Sequence, residues 1–168
     1  MKKENHNNNQ EQVLDKKTVY KVPVFSKFFT LFMAIFALFF SIYFIFTQIN
    51  TDTATVKKVL PFLILLFAFD ALYRNLFALY RVTFKNDSIN FSYLAKKNVK
   101  IDYKSITKLE TVLEKKKFFR LHYAVADELR THNFPMAYKN IIDILKNIRH
   151  YAPQTEVDEF INSVAPYS

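Results

Sequence analysis

The chain has 168 residues, a net charge of +9 and 19 phenylalanines, and it contains neither cysteine nor glycine. The absence of cysteine excludes disulfides, thiol catalysis and cysteine metal sites, and the absence of glycine excludes glycine-rich phosphate loops, the dinucleotide fingerprint and the hydrolase nucleophile elbow. The length suits a helical hairpin and one small domain, and the basic balance suits a nucleic acid or an anionic lipid surface.

Residues 1–24 are predicted to form a disordered cytoplasmic tail. Residues 1–15 are polar, with an Asn-Asn-Asn-Gln run at residues 7–10, and they lack the apolar content needed for order. The apolar segment that follows starts too late and runs too long for the hydrophobic region of a cleaved signal peptide. A retained membrane anchor is therefore expected.

Residues 25–79 are predicted to be a two-helix transmembrane hairpin. Residues 28–51 carry no charge, and about 20 apolar residues span the bilayer core as a helix. We place the first helix at about 28–49 and the second, beyond a short polar link, at about 56–73. A second helix at 59–80 would instead bury Asp70 near mid-bilayer, at a cost of about 2.5–3.5 kcal/mol.

Asp70 and Arg74 are spaced to pair on one helix face, and the preferred placement puts them at the membrane interface. We interpret them as an interfacial ion pair. The alternative is a proton- or ion-handling site within an oligomeric helix bundle, which would make the chain a small transport or channel-associated subunit.

The distribution of basic residues predicts the orientation of the hairpin in the cell membrane. Lysine and arginine are concentrated before the first helix and after the second, whereas the link side holds Lys57 and Lys58. The positive-inside rule therefore places both termini in the cytoplasm.

Residues 80–152 are predicted to form a small β domain that ends in a helix. Alternating apolar and polar residues indicate strands at 81–85, 88–93, 99–103, 106–113, 117–124 and 129–134. Pro135 is predicted to open an amphipathic helix over 136–149, and Thr155 to cap a short helix in the tail, residues 153–168. The expected fold class is α+β: an N-terminal transmembrane hairpin, then a small antiparallel barrel or sheet capped by a C-terminal amphipathic helix.

This order resembles the bacterial pleckstrin-homology-like membrane proteins. The matching features are the hairpin leading into Tyr80-Arg81-Val82-Thr83-Phe84, the turn at Asn86-Asp87, the strand at 88–93, the segment 101–106 and the closing helix. The barrel of that fold has seven strands where six are predicted, so a strand is expected at Val125-Ala126 or before Tyr80.

The resemblance implies a membrane-anchored, non-enzymatic binding module, with a role in membrane stress or in self-protection against membrane-active peptides. Phosphoinositide recognition is not implied, because the first hairpin of the sheet offers only Arg81 and Lys85.

Basic turns in the β domain predict contact with the anionic inner leaflet, since each basic residue near such a surface contributes about 1 kcal/mol. The predicted contact residues are Lys96, Lys97, Lys100, Lys115, Lys116 and Lys117. The alternative is that these turns are simply solvated. Nucleic acid is not an expected partner, because the nearby aromatic residues alternate along strands as core residues do.

No catalytic or cofactor-binding arrangement is evident in the sequence, so an enzyme is not expected. His122 and His132 flank a turn and resemble half of a zinc site, but no third ligand accompanies them. We interpret them as partly exposed surface histidines, and we expect neither a metal nor a cofactor. The expected partners are membrane lipid and either another protein or a second copy of the chain.

Overall fold

The computed structural model describes residues 18–49, 55–114, 117–126 and 128–166. Two long apolar helices are followed by β-sheets and a C-terminal helix, which confirms the α+β fold class. The elements are β1 (Val19–Lys21), α1 (Val24–Gln48), α2 (Thr55–Phe77), β2 (Leu79–Phe84), β3 (Ser88–Tyr93), β4 (Val99–Asp102), a 3-10 turn (Tyr103–Ser105), β5 (Ile106–Leu113), β6 (Lys117–Val125), β7 (Glu128–Pro135), α3 (Ile141–Tyr151), β8 (Glu156–Val157) and α4 (Glu159–Val164).

Helices α1 and α2 form a hairpin with an apolar exterior. Each helix contains a span long and apolar enough to cross a membrane, Lys27–Thr47 and Lys58–Phe77, and only 11% of each span is buried within the protein. The core helix of a soluble protein would be mostly buried. Small side chains line the contact between the helices, where Ala34, Ser41 and Ala68 are buried, and such residues allow close helix approach in a bilayer.

The helical hairpin is inserted into a sheet rather than placed before it. Strand β1 precedes α1 and pairs antiparallel with β2, which follows α2, with Lys21 opposite Arg81. The first sheet has the order β1-β2-β3-β4. Residues 19–21 were expected to belong to the disordered tail, and for these residues that expectation is wrong. Strand β1 also accounts for the seventh antiparallel strand, on the N-terminal side of Tyr80.

The second sheet has the order β7-β6-β5-β8 and packs on the first around one core. Within the described residues no strand pair joins the two sheets, so the predicted barrel is not closed. The core is aromatic at its centre: the ring of Phe91 lies 5.4 Å from that of Phe134, which lies 5.7 Å from that of Phe119. Helix α3 covers the open side of the sheets with Ile144, Leu145 and Ile148, all fully buried.

Two predicted helix starts near the C-terminus are wrong. Pro135 ends β7 instead of opening a helix, because the buried side chain of Phe134 holds the strand in the core. Helix α3 begins only after Asn140, whose left-handed backbone (φ 59°) reverses the chain. Thr155 does not cap α4; residues 156–157 are held extended by parallel pairing with β5, and Asp158 caps the helix by accepting a 2.8 Å hydrogen bond from the Ile161 amide.

Candidate membrane-surface site

The β domain is joined to the helical hairpin without a flexible linker. Two residues, 22 and 23, connect β1 to α1, and Ala78 alone connects α2 to β2. Hydrogen bonds close the junction further, because the Val22 amide donates to the Tyr80 carbonyl at 3.2 Å and the Ala95 amide donates to the Leu76 carbonyl at 3.1 Å. The near ends of β1, β2 and β3 are therefore fixed against the helix ends.

Two of the predicted lysines lie beside this junction. Lys96 and Lys97 are exposed in the turn between β3 and β4, immediately after the residue that bonds to the last turn of α2. The ammonium of Lys96 lies 5.2 Å from the centre of the Tyr93 ring, a cation–π distance. If the apolar helices cross a bilayer, these two charges lie at its headgroup region.

Lys100 is directed elsewhere. Its ammonium lies 3.4 Å from a carboxylate oxygen of Asp102 and 3.9 Å from one of Asp87. Both acids lie at the ends of the strands that are remote from the helices. A hydrogen bond from Ser88, reinforced by Lys100, lowers the pKa of Asp87.

Lys117 occupies a third location. It is exposed at the start of β6, in the second sheet, whereas Lys96, Lys97 and Lys100 belong to the β3–β4 hairpin of the first sheet. Lys115 and Lys116 lie outside the described residues. Where the structure describes them, the predicted lysines therefore fall into separate positions rather than one patch, and Lys96 and Lys97 are the pair nearest the helices.

Further cations lie around the junction. The sequence indicated these residues only as signals of the orientation of the hairpin in the membrane. The ammonium of Lys27 and the guanidinium of Arg81 lie 5.1 Å and 5.3 Å from the centre of the Tyr80 ring. Lys21 is the register partner of Arg81 on the neighbouring strand. The signal that could have found them is their position directly flanking the apolar spans.

Asp70 and Arg74 form the predicted pair on the outside of α2. The guanidinium donates from Nε to one carboxylate oxygen at 3.0 Å, and its Nη2 lies 2.8 Å from the other. The side chain of Asp70 is 51% exposed and that of Arg74 is 77% exposed. The pair is thus made within one helix, and Asp70 and Arg74 lie seven and three residues before Phe77, the last residue of the apolar span.

His122 and His132 lie on opposite faces of the second sheet, because the register places His132 opposite Leu121 and not opposite His122. Within the described residues no three His, Asp or Glu side chains are grouped to hold a metal. His132 is only 5% exposed, so its interpretation as a surface histidine is wrong. Its Nε2 lies 3.0 Å from the Tyr93 hydroxyl, and burial, followed by the charge of Lys96, lowers its pKa to about 4.

His122 belongs to a polar cluster on the outer face of the same sheet. Its Nε2 lies 3.0 Å from Glu110, which also contacts Lys108 at 3.0 Å and Arg120 at 3.1 Å. Hydrogen bonds from His122 and then Lys108 lower the pKa of Glu110 to about 2. The Glu110 carboxylate is occupied by its three contacts with Lys108, Arg120 and His122, and this arrangement suits a structural role in holding β5 against β6.

No known family model matches the chain, and no curated protein matches it.

Proposed function

We propose that this chain is a membrane-anchored, non-enzymatic binding module of the pleckstrin-homology-like type, held on the cytoplasmic face of the cell membrane with both termini in the cytoplasm. The observation that supports this function is the insertion of the apolar hairpin between the first two strands of the sheet. An anchor of this kind fixes the orientation of a domain as well as its location.

The short links give the domain one defined face toward the bilayer. That face carries Lys96 and Lys97 beside the last turn of α2, and each exposed lysine near an anionic leaflet contributes about 1 kcal/mol of attraction. The opposite end of the first sheet carries Asp87 and Asp102 together with the exposed Lys85, Lys100 and Lys104, and it points into the cytoplasm. The short links, rather than a difference in charge between the two ends, therefore suit a domain that rests on lipid and presents its remote surfaces to a partner.

Strand β7 is the surface that best suits a protein partner. It is eight residues long, and among the described strands it pairs only with β6. A free strand edge binds an extended segment by adding it to the sheet, and either another protein or a second copy of this chain supplies such a segment. A role in membrane stress or in self-protection against membrane-active peptides follows from the resemblance to pleckstrin-homology-like membrane proteins.

Site-directed photocrosslinking in native membranes tests this function. A photoreactive residue replaces Asn133, which is exposed on β7, and in a matched control it replaces Lys146, which is exposed on α3. We expect a discrete adduct from position 133 and none from position 146, and we expect loss of the gene to reduce survival under membrane-active peptides. No adduct at position 133, together with unchanged survival, would contradict the proposal.

A further inference from the structure

A small crevice lies where α1 meets the β domain. It has a volume of about 60 Å³ and is lined by Lys27, Phe28, Leu31, Tyr80 and Leu94. Its walls are almost entirely apolar, and Lys27 is the one charged residue among those that line it. The crevice therefore combines a single positive charge with apolar walls, whereas the lysines of the β3–β4 turn are exposed charges without such walls.

Lys27 is an unusual residue for this position, because its side chain is only 6% exposed. Its ammonium donates to the Ala78 carbonyl at a long 3.4 Å and lies 5.1 Å from the Tyr80 ring. An ammonium has three donors, and a buried charge is stable only when it is paired and hydrogen-bonded. In the part of the chain that the structure describes, no carboxylate lies within ion-pair distance of it.

The charges that the structure describes beside the crevice are positive. Arg81 approaches the same Tyr80 ring at 5.3 Å, and Lys21 lies opposite Arg81 in the sheet. Between residues 71 and 86 the sequence contains no acidic residue at all. The local field therefore favours an anion at the mouth of the crevice.

The crevice is also aligned with the apolar span. Lys27 is the first residue of the span that ends at Thr47, and Phe28 and Leu31 follow it along α1 toward the apolar interior. A ligand that fills the crevice needs a negative group beside Lys27 and an apolar portion beside Leu31 and Leu94. Phospholipids with an anionic headgroup have this chemistry in this order.

We propose that the crevice is a binding site for one anionic phospholipid, in which Lys27 donates a hydrogen bond to a phosphate oxygen and the first methylene groups pack against Phe28, Leu31 and Leu94. The site rests on the proposed membrane location. It adds a specific lipid contact at the junction to the general attraction of exposed lysines for the leaflet.

Native mass spectrometry of the full chain tests the site. The protein is reconstituted in nanodiscs with equal amounts of phosphatidylglycerol and phosphatidylcholine, released into detergent, and scored for retained lipid. We expect the wild type to retain one phosphatidylglycerol, and Lys27→Met to lower that retention about fivefold, which is the effect of about 1 kcal/mol. Lys27→Arg keeps a charge and should retain the lipid, and Lys146→Met, an exposed lysine on α3, should behave as the wild type.

Three results would overturn the proposal: equal retention by Lys27→Met and the wild type, equal retention of the two lipids by the wild type, or release of the lipid by millimolar glycerol 3-phosphate. The last result would show that the anion alone suffices and that the apolar walls contribute nothing. The urea midpoint of each variant shows whether the β domain remains folded, and the preference of the wild type for phosphatidylglycerol over phosphatidylcholine decides the outcome if Lys27→Met does not fold. A chain that is recovered in membranes but shows no selective retention refutes this site alone, whereas a chain absent from membranes refutes the proposed function.

Discussion

Acid should destabilise the β domain through one buried histidine. The ring of His132 lies 4.4 Å from that of Phe91, and its Nε2 is hydrogen-bonded to the Tyr93 hydroxyl. Burial lowers its pKa to about 4, from the ordinary value of 6.5. The folded protein therefore keeps this ring neutral at a pH where the unfolded chain binds a proton, so that stability present above pH 6.5 is lost as the pH falls toward 4.

The magnitude follows from linkage between proton binding and folding. The difference between the two pKa values corresponds to about 3 kcal/mol once the pH is well below 4. Between pH 7 and pH 5 the expected loss is about 2 kcal/mol. Replacement by phenylalanine (His132→Phe) keeps a ring against Phe91 and abolishes the proton-binding site, at a pH-independent cost of about 1 kcal/mol for the unpaired Tyr93 hydroxyl. Burial raises the pKa of Tyr93 to about 12, so this hydroxyl stays neutral throughout.

Urea unfolding of the full chain in detergent micelles measures this effect. The chain has ten tyrosines and no tryptophan, and only Tyr43 and Tyr73 lie in α1 and α2. Near-ultraviolet circular dichroism of tyrosine therefore reports mainly on the β domain, while the far-ultraviolet helix signal follows mainly the hairpin. The stability of the wild type should fall by about 2 kcal/mol more than that of His132→Phe when the pH is lowered from 7 to 5. His150→Gln removes an exposed histidine on α3 and should follow the wild type. If His132→Phe and the wild type lose the same stability over this interval, the assignment of a buried neutral histidine is refuted.

Three other substitutions test the packing, the junction and the ion pair. Phe91→Ala removes a fully buried ring and should lower the free energy of unfolding in urea by about 3–5 kcal/mol. Leu113→Ala, at a residue 62% exposed, should change that free energy by less than about 0.5 kcal/mol. Similar losses in the two variants would contradict the placement of Phe91 in the core. Tyr138→Phe removes a hydroxyl that shares its one hydrogen between the carbonyl oxygens of Tyr20 and Tyr80, each 3.1 Å away. It should cost about 1 kcal/mol and speed amide exchange in β1, and unchanged exchange would show that β1 does not depend on this contact. Asp70→Asn breaks an exposed ion pair and should lower the free energy of unfolding by less than about 1 kcal/mol, without reducing survival under membrane-active peptides. If that survival is lost while the variant folds normally, the alternative of a transport subunit is favoured.

The alternating strands were predictable because their side chains follow a period of two over several residues. The hairpin of β2 and β3 and the strands β5 and β6 lie where the pattern places them, within about two residues. Strand β1 was missed because three residues, Val19–Lys21, are too few to show a period. Its order comes instead from pairing with β2 across the inserted helices, which is a contact that no local pattern encodes.

The candidate site was predicted less well, because position along the chain does not tell which end of a sheet a residue occupies. Lys96 and Lys100 are four residues apart, yet one lies beside the helix junction and the other beside Asp87 and Asp102 at the remote end. For His132, position along the chain likewise does not tell which face of the sheet the side chain occupies, because a shift of one residue in register exchanges the two faces of a strand. Only the observed pairing with Leu121 places His132 in the core.

Cysteine labelling in intact cells tests the membrane topology, on which the whole interpretation depends. The chain has no native cysteine, so single substitutions give unambiguous signals. Thr53→Cys, in the link between the apolar helices, should react with a membrane-impermeant maleimide added outside intact cells, and Glu114→Cys, exposed in the β domain, should react only after the cells are permeabilised. Labelling of Glu114→Cys in intact cells, with Thr53→Cys protected, would contradict the proposed orientation, and recovery of the full chain in the aqueous fraction without detergent would contradict the membrane anchor itself.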